Sequence, residues 1–272
     1  MKLIDIFFNQ KLISSKHKNY FLTYEKLFQN YRDKDITFVE IGAKNGGSLM
    51  MWREYFSKNS RVIGIDINEK ALELKKYGIE IFIGDQASEV FWNNFFKSVG
   101  KVDIVLDDGG HTNAQQIITS ACCVPNIKDN GLLVIEDTFT SYMNKFSNPN
   151  KYSFVSYAKK KIDDINYRYP DIGLLKNSLN KYIYSIEFFE SIVCFKINRE
   201  LCKTNEEILN NGKEIGIKDL RYGDQKLIKK IRSQFSFFSK LFILRSLGKL
   251  ILKYLNKLSI KIKDSKNKKY FF

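Results

Sequence analysis

The chain has 272 residues, of which 44% are hydrophobic and 28% charged, and its formal net charge is +15. These values exclude a disordered chain and favour one large folded domain or two small ones with a sizeable core. The four cysteines include no Cys-x-x-Cys zinc pair and are too few for a disulfide framework, which favours reduced thiols in a cytoplasmic protein. The N-terminus is a poor secretion signal and no run of about 18 uncharged apolar residues occurs, so we expect no membrane-spanning helix.

The positive charge is concentrated at the C-terminus. From Gln225 to Phe272 there are 14 Lys or Arg and a single acid, Asp264, so the preceding residues carry only about +2. A near-neutral body gives no electrostatic argument for nucleic-acid binding. The Asn/Asp-Pro-Pro-aromatic motif of base methylation is also absent, since the three prolines are isolated. We therefore expect no nucleic-acid partner.

Predicted strands and helices alternate through the middle of the chain. Residues 1–35 predict one or two short helices, after which apolar runs rich in Val, Ile and Leu alternate with helical patterns. Such an alternation is typical of a doubly wound, Rossmann-like α/β fold whose mostly parallel sheet is covered on both faces. The predicted strands are 36–42, 61–67, 79–85, 101–111 and 131–138, and the predicted helices are 47–57, 69–78, 86–100 and 112–127.

The pattern changes after the fifth strand. Residues 138–180 predict a loop with one helix, in a position to cover the carboxyl edge of the sheet. Residues 182–198 contain two extended segments around a turn at about Glu190, which predicts a C-terminal antiparallel hairpin. We therefore divide the chain into a helical N-terminal segment, 1–35, an α/β domain, 36–200, and a basic helical extension, 201–272.

Acidic residues follow all five predicted parallel strands. In an open α/β sheet the ligands bind beyond the carboxyl ends of the strands, so these side chains are expected to share one site. Clustered carboxylates repel one another and are costly to bury, so core packing gives no reason for them. A polar edge that merely faces water is the alternative. The residues concerned are Glu40, Asp66, Asp85 with Gln86, Asp107 and Asp108 with His111, and Glu136 with Asp137.

A glycine-rich loop, EIGAKNGGS at 40–48, follows the first strand. It lacks the Gly-x-Gly-x-x-Gly pattern of dinucleotide sites, because Lys44 stands where the second glycine is needed. An acid-x-Gly start with later glycines favours a nucleoside ligand without a pyrophosphate, since glycines let the backbone approach it. Asp66 is placed to accept hydrogen bonds from ribose hydroxyls, and Asp85 and Gln86 to reach the adenine side.

These features resemble the class I S-adenosylmethionine-dependent methyltransferases. More narrowly, the segments GGSLMMW, GDQ, DIVLDDGGH and VIEDTFTSY are similar to those of the metal-dependent macrolide sugar O-methyltransferases and their cephalosporin-hydroxylase-like relatives. The similarity runs from about Phe38 to Tyr142. One departure is Gly110, where that family usually has serine.

The resemblance implies a Mg²⁺ site formed by Asp108, Glu136 and Asp137, with His111 as the general base. Carboxylates without a cysteine partner suit Mg²⁺, and an imidazole can take the proton of an acidified hydroxyl. The other histidine, His17, is expected to play no part. The resemblance also implies S-adenosylmethionine as cofactor, bound by Glu40, Gly42, Gly46, Ser48, Asp66, Asp85, Gln86 and Asp107.

The implied activity is methylation of a sugar hydroxyl on a nucleotide sugar, a surface glycan such as a capsule, or a glycosylated natural product. Two alternatives stay open. The same fold could methylate nitrogen or a phosphoryl-linked group, or catalyse an oxidation, and a non-catalytic membrane-associated protein could retain the fold.

The basic extension has its own open alternatives. Over 225–262, apolar residues alternate with Lys or Arg at near-helical spacing, which predicts a basic amphipathic helix. Such a helix could pack on the α/β domain or on a second copy of the chain. It could also lie on the anionic inner face of the cytoplasmic membrane, or bind an anionic substrate.

Overall fold

The computed structural model describes residues 1–146, 151–169, 179–217, 254 and 268–270. The chain divides into two compact units, Met1–Glu207 and Ile208–Phe272. The predicted amphipathic helix over 225–262 lies outside the described residues, Tyr254 excepted. The description below concerns the first unit.

Seven strands form one mixed sheet in the order β3-β2-β1-β4-β5-β7-β6. Strands β1 to β5 are parallel, and β7 lies antiparallel between β5 and β6. This confirms the predicted fold, including its terminal hairpin. The chain runs outward from β1 and returns to β4, so β1 and β4 flank the switch point where such sheets bind ligands. The strands are β1 Thr37–Ile41, β2 Arg61–Asp66, β3 Glu80–Ile83, β4 Val102–Asp107, β5 Ile127–Ile135, β6 Ile183–Phe189 and β7 Ile192–Ile197.

Helices cover both faces of this sheet. The predicted helix at 69–78 forms a 3-10 helix, Glu69–Tyr77, which ends at Gly78 in the left-handed conformation. Among the helices of the described residues, none has the length and apolar composition needed to cross a membrane. The α-helices are α1 Leu3–Phe8, α2 Tyr20–Phe28, α3 Gly47–Tyr55, α4 Glu89–Val99, α5 Asn113–Cys123 and α6 Phe154–Asn166.

Alternation along β1 explains which residues reach each face. Successive side chains of a strand point to opposite faces, so Phe38 packs in one core cluster and Val39 in the other. Helices α1, α2 and α3 cover the face of Phe38, whereas α4, α5 and α6 cover the face of Val39. Glu40 follows the register of Phe38 and is therefore buried beneath α3.

The N-terminal helices belong to this core. Phe28 of α2 is fully buried and meets Trp52 of α3 edge to face, with ring centroids 5.3 Å apart. The Tyr24 ring also meets this indole edge to face, with centroids 5.1 Å apart. Aromatic packing of this kind adds to the free energy gained from burying the rings. Residues 1–35 are thus one structural body with the sheet.

Replacing Phe28 with alanine should lower the free energy of unfolding by about 3–5 kcal/mol, because it opens a cavity where α2 meets α3. Urea unfolding would measure the change. Leu22→Ala on the same helix is the matched control, since Leu22 is 78% exposed, and it should change stability by less than about 0.5 kcal/mol. Equal effects of the two substitutions would show that α2 does not belong to the core.

Candidate active site

A cavity of about 590 Å³ opens at the carboxyl edge of the sheet. Loops after each of the five parallel strands line it, as the parallel topology requires. Glu40 and Asp107 are buried and do not line the cavity. The predicted residues that line it are Gly42, Gly46, Ser48, Asp66, Asp85, Gln86, Asp108, His111, Glu136 and Asp137.

Glu40 and Asp107 are buried and hydrogen-bonded to neighbouring groups. Glu40 accepts hydrogen bonds from Ser48 Oγ at 2.9 Å and Trp52 Nε1 at 3.4 Å. Asp107 accepts from Gln86 Nε2 at 2.9 Å and from the backbone N–H of Gly109 at 3.1 Å. Burial raises the pKa of Glu40 to about 7 and that of Asp107 to about 6. Neither carboxylate is part of the cavity lining, so their predicted contact with the cofactor stays a prediction.

The glycine loop packs directly on the turn after β4. Gly42 has φ +91°, and a Cβ there would lie 2.1 Å from the carbonyl oxygen of Asp108. Only glycine fits such an approach. The backbone N–H of Lys44 donates to Asp66 Oδ2 at 2.8 Å, and that of Asn68 donates to Oδ1 at 2.9 Å. These two bonds fix the Asp66 carboxylate while leaving lone pairs for ligand hydroxyls.

Gln86 and Asp85 have different roles in the loop after β3. The buried Gln86 amide accepts from the N–H of Gly110 at 2.9 Å and donates to Asp107 and to Thr119 Oγ1. The Gln86 amide is therefore engaged in hydrogen bonds that hold the turn after β4 in place. Asp85 is exposed at the cavity wall. It is therefore the better placed of the two to reach a bound ligand.

Asp108, His111 and Asp137 form a compact group. His111 Nε2 lies 3.3 Å from Asp137 Oδ2 and 3.9 Å from Asp108 Oδ1. One potential ligand atom from each residue lies within 4.8 Å of the others, so the three could hold a metal ion. His111 Nδ1 is buried, and within the described part of the chain it has no hydrogen-bond partner.

Two members of this group have left-handed backbones. His111 has φ +58° and Asp137 has φ +54°, which is uncommon for residues other than glycine. Thr140 Oγ1 donates to the carbonyl oxygen of His111 at 2.9 Å. The backbone N–H of Thr138 donates to the carbonyl oxygen of Ser191 at 3.1 Å. The loops after β4 and β5 are thus tied together. Strained backbones of this kind cluster at functional sites.

The backbone at Gly110 packs against the first turn of α5. Thr112 caps α5, and Gln115 closes a capping box with it. A Cβ at Gly110 would lie 2.3 Å from Gln115 Oε1. A serine at this position would require the end of the Gln115 side chain to shift.

Glu136 is separated from the compact group. It is fully buried and accepts a hydrogen bond from Tyr24 Oη at 2.6 Å. Lys16 Nζ lies 3.0 Å from Glu136 Oε2 and 2.7 Å from Asp108 Oδ2. Asp108 therefore contacts both groups of residues: its Oδ1 lies near His111, and its Oδ2 contacts Lys16. The three predicted metal ligands do not meet at one point here.

Sequence reasoning missed the contribution of the N-terminal segment. The Lys16 side chain is only 1% exposed. Burial opposes its charge, but the carboxylates of Glu136, Asp108 and Glu40 outweigh burial and raise the pKa of Lys16 well above its ordinary value. Tyr20 Oη donates to Asp137 Oδ1 at 2.6 Å. The spacing of Tyr20 and Tyr24 indicates one helix face, but no local pattern pairs that face with residues more than 100 positions later.

His17 also lines the cavity, with Nε2 4.0 Å from Asp137 Oδ1, so the expectation that it plays no part does not fit its position. Residues 13–17 form a wall of the cavity. None of the described residues of 138–180 is part of the cavity lining, but the Phe139 ring packs against the lining residue His17, so the predicted cover from this segment stays a prediction. Helix α6 packs on the face of the sheet.

No family model matches the chain. A sequence relative is the 8-demethyl-8-alpha-L-rhamnosyl tetracenomycin-C 2'-O-methyltransferase of Streptomyces olivaceus, 32% identical over 162 residues, which are 56% of this chain and 42% of the relative. Another is the mycinamicin VI 2''-O-methyltransferase of Micromonospora griseorubida, 34% identical over 126 residues, which are 44% of this chain and 31% of the relative. The chain thus spans less than half the length of these curated relatives.

Solved structures give a consistent result. MycE methyltransferase from the mycinamycin biosynthetic pathway, in complex with Mg, SAH and mycinamycin VI, superimposes with a TM-score of 0.65 at 26% identity. The superposition covers 73% of this chain and 54% of that one. A complex of the same methyltransferase with Mg and SAH gives a TM-score of 0.64. The chain accordingly has the class I S-adenosylmethionine-dependent methyltransferase fold, and it is similar in sequence to sugar O-methyltransferases.

Proposed function

We propose that the chain is an S-adenosylmethionine- and Mg²⁺-dependent O-methyltransferase that methylates a sugar hydroxyl of a glycosylated small molecule. The observation that carries this proposal is one shared cavity. The glycine loop and Asp66 lie on one side of it, and the group of Asp108, His111 and Asp137 lies on the other. A methyl donor and a hydroxyl acceptor can therefore be held next to each other.

The cofactor side has the parts that a nucleoside needs. Asp66 presents a fixed carboxylate to ribose hydroxyls, Asp85 stands at the adenine side, and Gly42 lets the backbone approach. The cavity volume of about 590 Å³ is that of an ordinary small-molecule site. When bound, S-adenosylmethionine supplies an electrophilic methyl group.

The donor set fits a divalent ion. Two carboxylates, with oxygens within 4.8 Å of each other and of the imidazole, offer hard oxygen donors. Asp108 and Asp137 would hold the ion, with His111 beside them. When bound, Mg²⁺ supplies positive charge that makes an acceptor hydroxyl more acidic.

His111 acts as the general base in this proposal. Its Nε2 lies 3.3 Å from Asp137 Oδ2. Asp137, beside Nε2, stabilises the imidazolium that forms once the unprotonated Nε2 has taken the acceptor proton. Tyr20 donates to the other oxygen of Asp137 at 2.6 Å. The carboxylate that faces the base is therefore held in place before the acceptor arrives.

Aromatic rings mark the acceptor side. The His17 ring lies 5.1 Å from that of Tyr20 and 5.7 Å from that of Phe139, between centroids. Phe139 is 37% exposed and lies two residues after Asp137. Partly exposed rings can pack against the apolar C–H face of a sugar. We place the acceptor sugar on this rim.

Similarity to the two relatives supports a glycosylated natural product as the acceptor, ahead of a capsule or other surface glycan. All four cysteines are free, which supports a cytoplasmic location. The basic extension keeps its proposed roles in self-association or in peripheral contact with the inner membrane surface.

Asp66→Ala should weaken S-adenosylmethionine binding by about 10- to 100-fold, because the bonds from the carboxylate to the ribose are lost. Isothermal titration calorimetry measures the dissociation constant. Glu69→Gln, at an exposed acid three residues later, is the matched control and should leave it unchanged. Wild-type affinity in Asp66→Ala would contradict the assigned cofactor side.

His111→Gln should lower kcat by about 10²- to 10⁴-fold, because the proton of the acceptor hydroxyl loses its base. Mass spectrometry of rhamnosyl and other deoxysugar glycosides, incubated with S-adenosylmethionine and Mg²⁺, would follow the reaction. Cofactor affinity in the same variant serves as the control and should be unchanged. An unchanged kcat would remove His111 from the mechanism, and methylation only of amines would contradict the proposed function.

Phe139→Ala should raise KM for the glycoside about five- to tenfold while leaving cofactor affinity unchanged, since only the packing against the sugar is lost. Steady-state kinetics at saturating S-adenosylmethionine would show this. Phe8→Ala is the matched control, since it removes another exposed phenyl group, on α1. An equal effect of Phe8→Ala would show that ring loss acts through stability rather than through acceptor binding.

A further inference from the structure

One ammonium group is enclosed by the acidic edge of the cavity. Lys16 Nζ contacts both carboxylate oxygens of Glu136, at 3.0 and 3.1 Å, together with Asp108 Oδ2 at 2.7 Å and Glu40 Oε1 at 3.5 Å. Its side chain is almost completely buried. A fixed cation therefore already contacts two of the three carboxylates, Asp108 and Glu136, that the resemblance assigns to a divalent ion.

Close packing of the backbone before Lys16 keeps it in this place. Gly47, at the start of α3, has no side chain, and a Cβ there would lie 2.4 Å from the carbonyl oxygen of Leu12 and 2.7 Å from that of Ile13. The chain that leads to Lys16 thus rests directly on the glycine loop.

We propose that the Lys16 ammonium is a built-in cation that holds Glu136 out of the divalent-ion site, so that this chain binds the ion through Asp108 and Asp137 beside His111. This inference rests on the metal-dependent function proposed above. Lys16 and Tyr24 occupy the carboxylate of Glu136, whereas Asp108 Oδ1 and Asp137 Oδ2 remain on the side of His111. Lys16 is therefore a positioning residue that sets how many carboxylates reach the ion.

Mn²⁺ binding, followed by the electron paramagnetic resonance signal of the free ion, tests this without any acceptor or methyl transfer. Glu136→Gln and Asp137→Asn are a matched pair, since each replaces one carboxylate with its isosteric amide. Both lose the same charge, so a difference between them reports direct coordination. In the otherwise wild-type chain, Asp137→Asn should weaken Mn²⁺ binding at least about tenfold more than Glu136→Gln.

The same pair in a Lys16→Met background completes the design. Lys16→Met should strengthen Mn²⁺ binding at least about tenfold, because a positive charge is removed and Glu136 is released to the ion. In this background, the loss of Mn²⁺ affinity caused by Glu136→Gln should be within about threefold of the loss caused by Asp137→Asn. Lys18→Met, at an exposed lysine two residues later, is the control and should leave Mn²⁺ affinity unchanged.

Three results would overturn the proposal: equal costs of the two amide variants in the wild-type background, a Lys16→Met variant that binds no more tightly, or no Mn²⁺ binding to either the wild type or Lys16→Met. Circular dichroism checks that each variant folds. If Lys16→Met does not fold, the amide pair in the wild-type background decides alone. Loss of methyl transfer with intact Mn²⁺ binding would count against the proposed function and leave the assignment of Lys16 standing.

Discussion

The carboxyl edge of the sheet depends on the balance of charge around the buried ammonium group of Lys16. Glu40, Asp108 and Glu136 converge because parallel strands end at the same edge, and three carboxylates brought together without a cation would repel strongly. Lys16 supplies the opposing charge from a segment that precedes the sheet. The ion pairs therefore stabilise the edge and also fix the N-terminal segment as a wall of the cavity.

The two halves of the site are linked through the backbone. Gly42, on the side proposed for the cofactor, packs closely against the carbonyl of Asp108, which begins the acidic turn on the other side. Gln86 braces that turn from the loop after β3, and Thr140 ties it to the loop after β5. These contacts hold the three loops in fixed positions relative to one another. This coupling suits methyl transfer, in which donor and acceptor must be aligned with little tolerance.

Acids at equivalent strand ends have three different uses in this fold. Glu40 and Asp107 are turned inward, where hydrogen bonds to Ser48, Trp52 and Gln86 satisfy them. Asp66 and Asp85 line the cavity on the side proposed for the nucleoside, and Asp108 and Asp137 lie beside His111. The sequence places all of them at one edge. Which way each side chain turns depends on the register of its strand and on the neighbours it meets in the folded chain.

What the sequence alone determined was the parallel sheet, its terminal hairpin, the glycine loop and the approach of His111 to Asp108 and Asp137. Each follows from local periodicity or from residues that adjoin a strand end. Only the tertiary structure decided that Lys16, His17, Tyr20 and Tyr24 complete the site and that Glu136 turns toward Lys16. Contacts between α2 and loops more than 100 residues later leave no local pattern, because they arise from the packing of helices on the sheet.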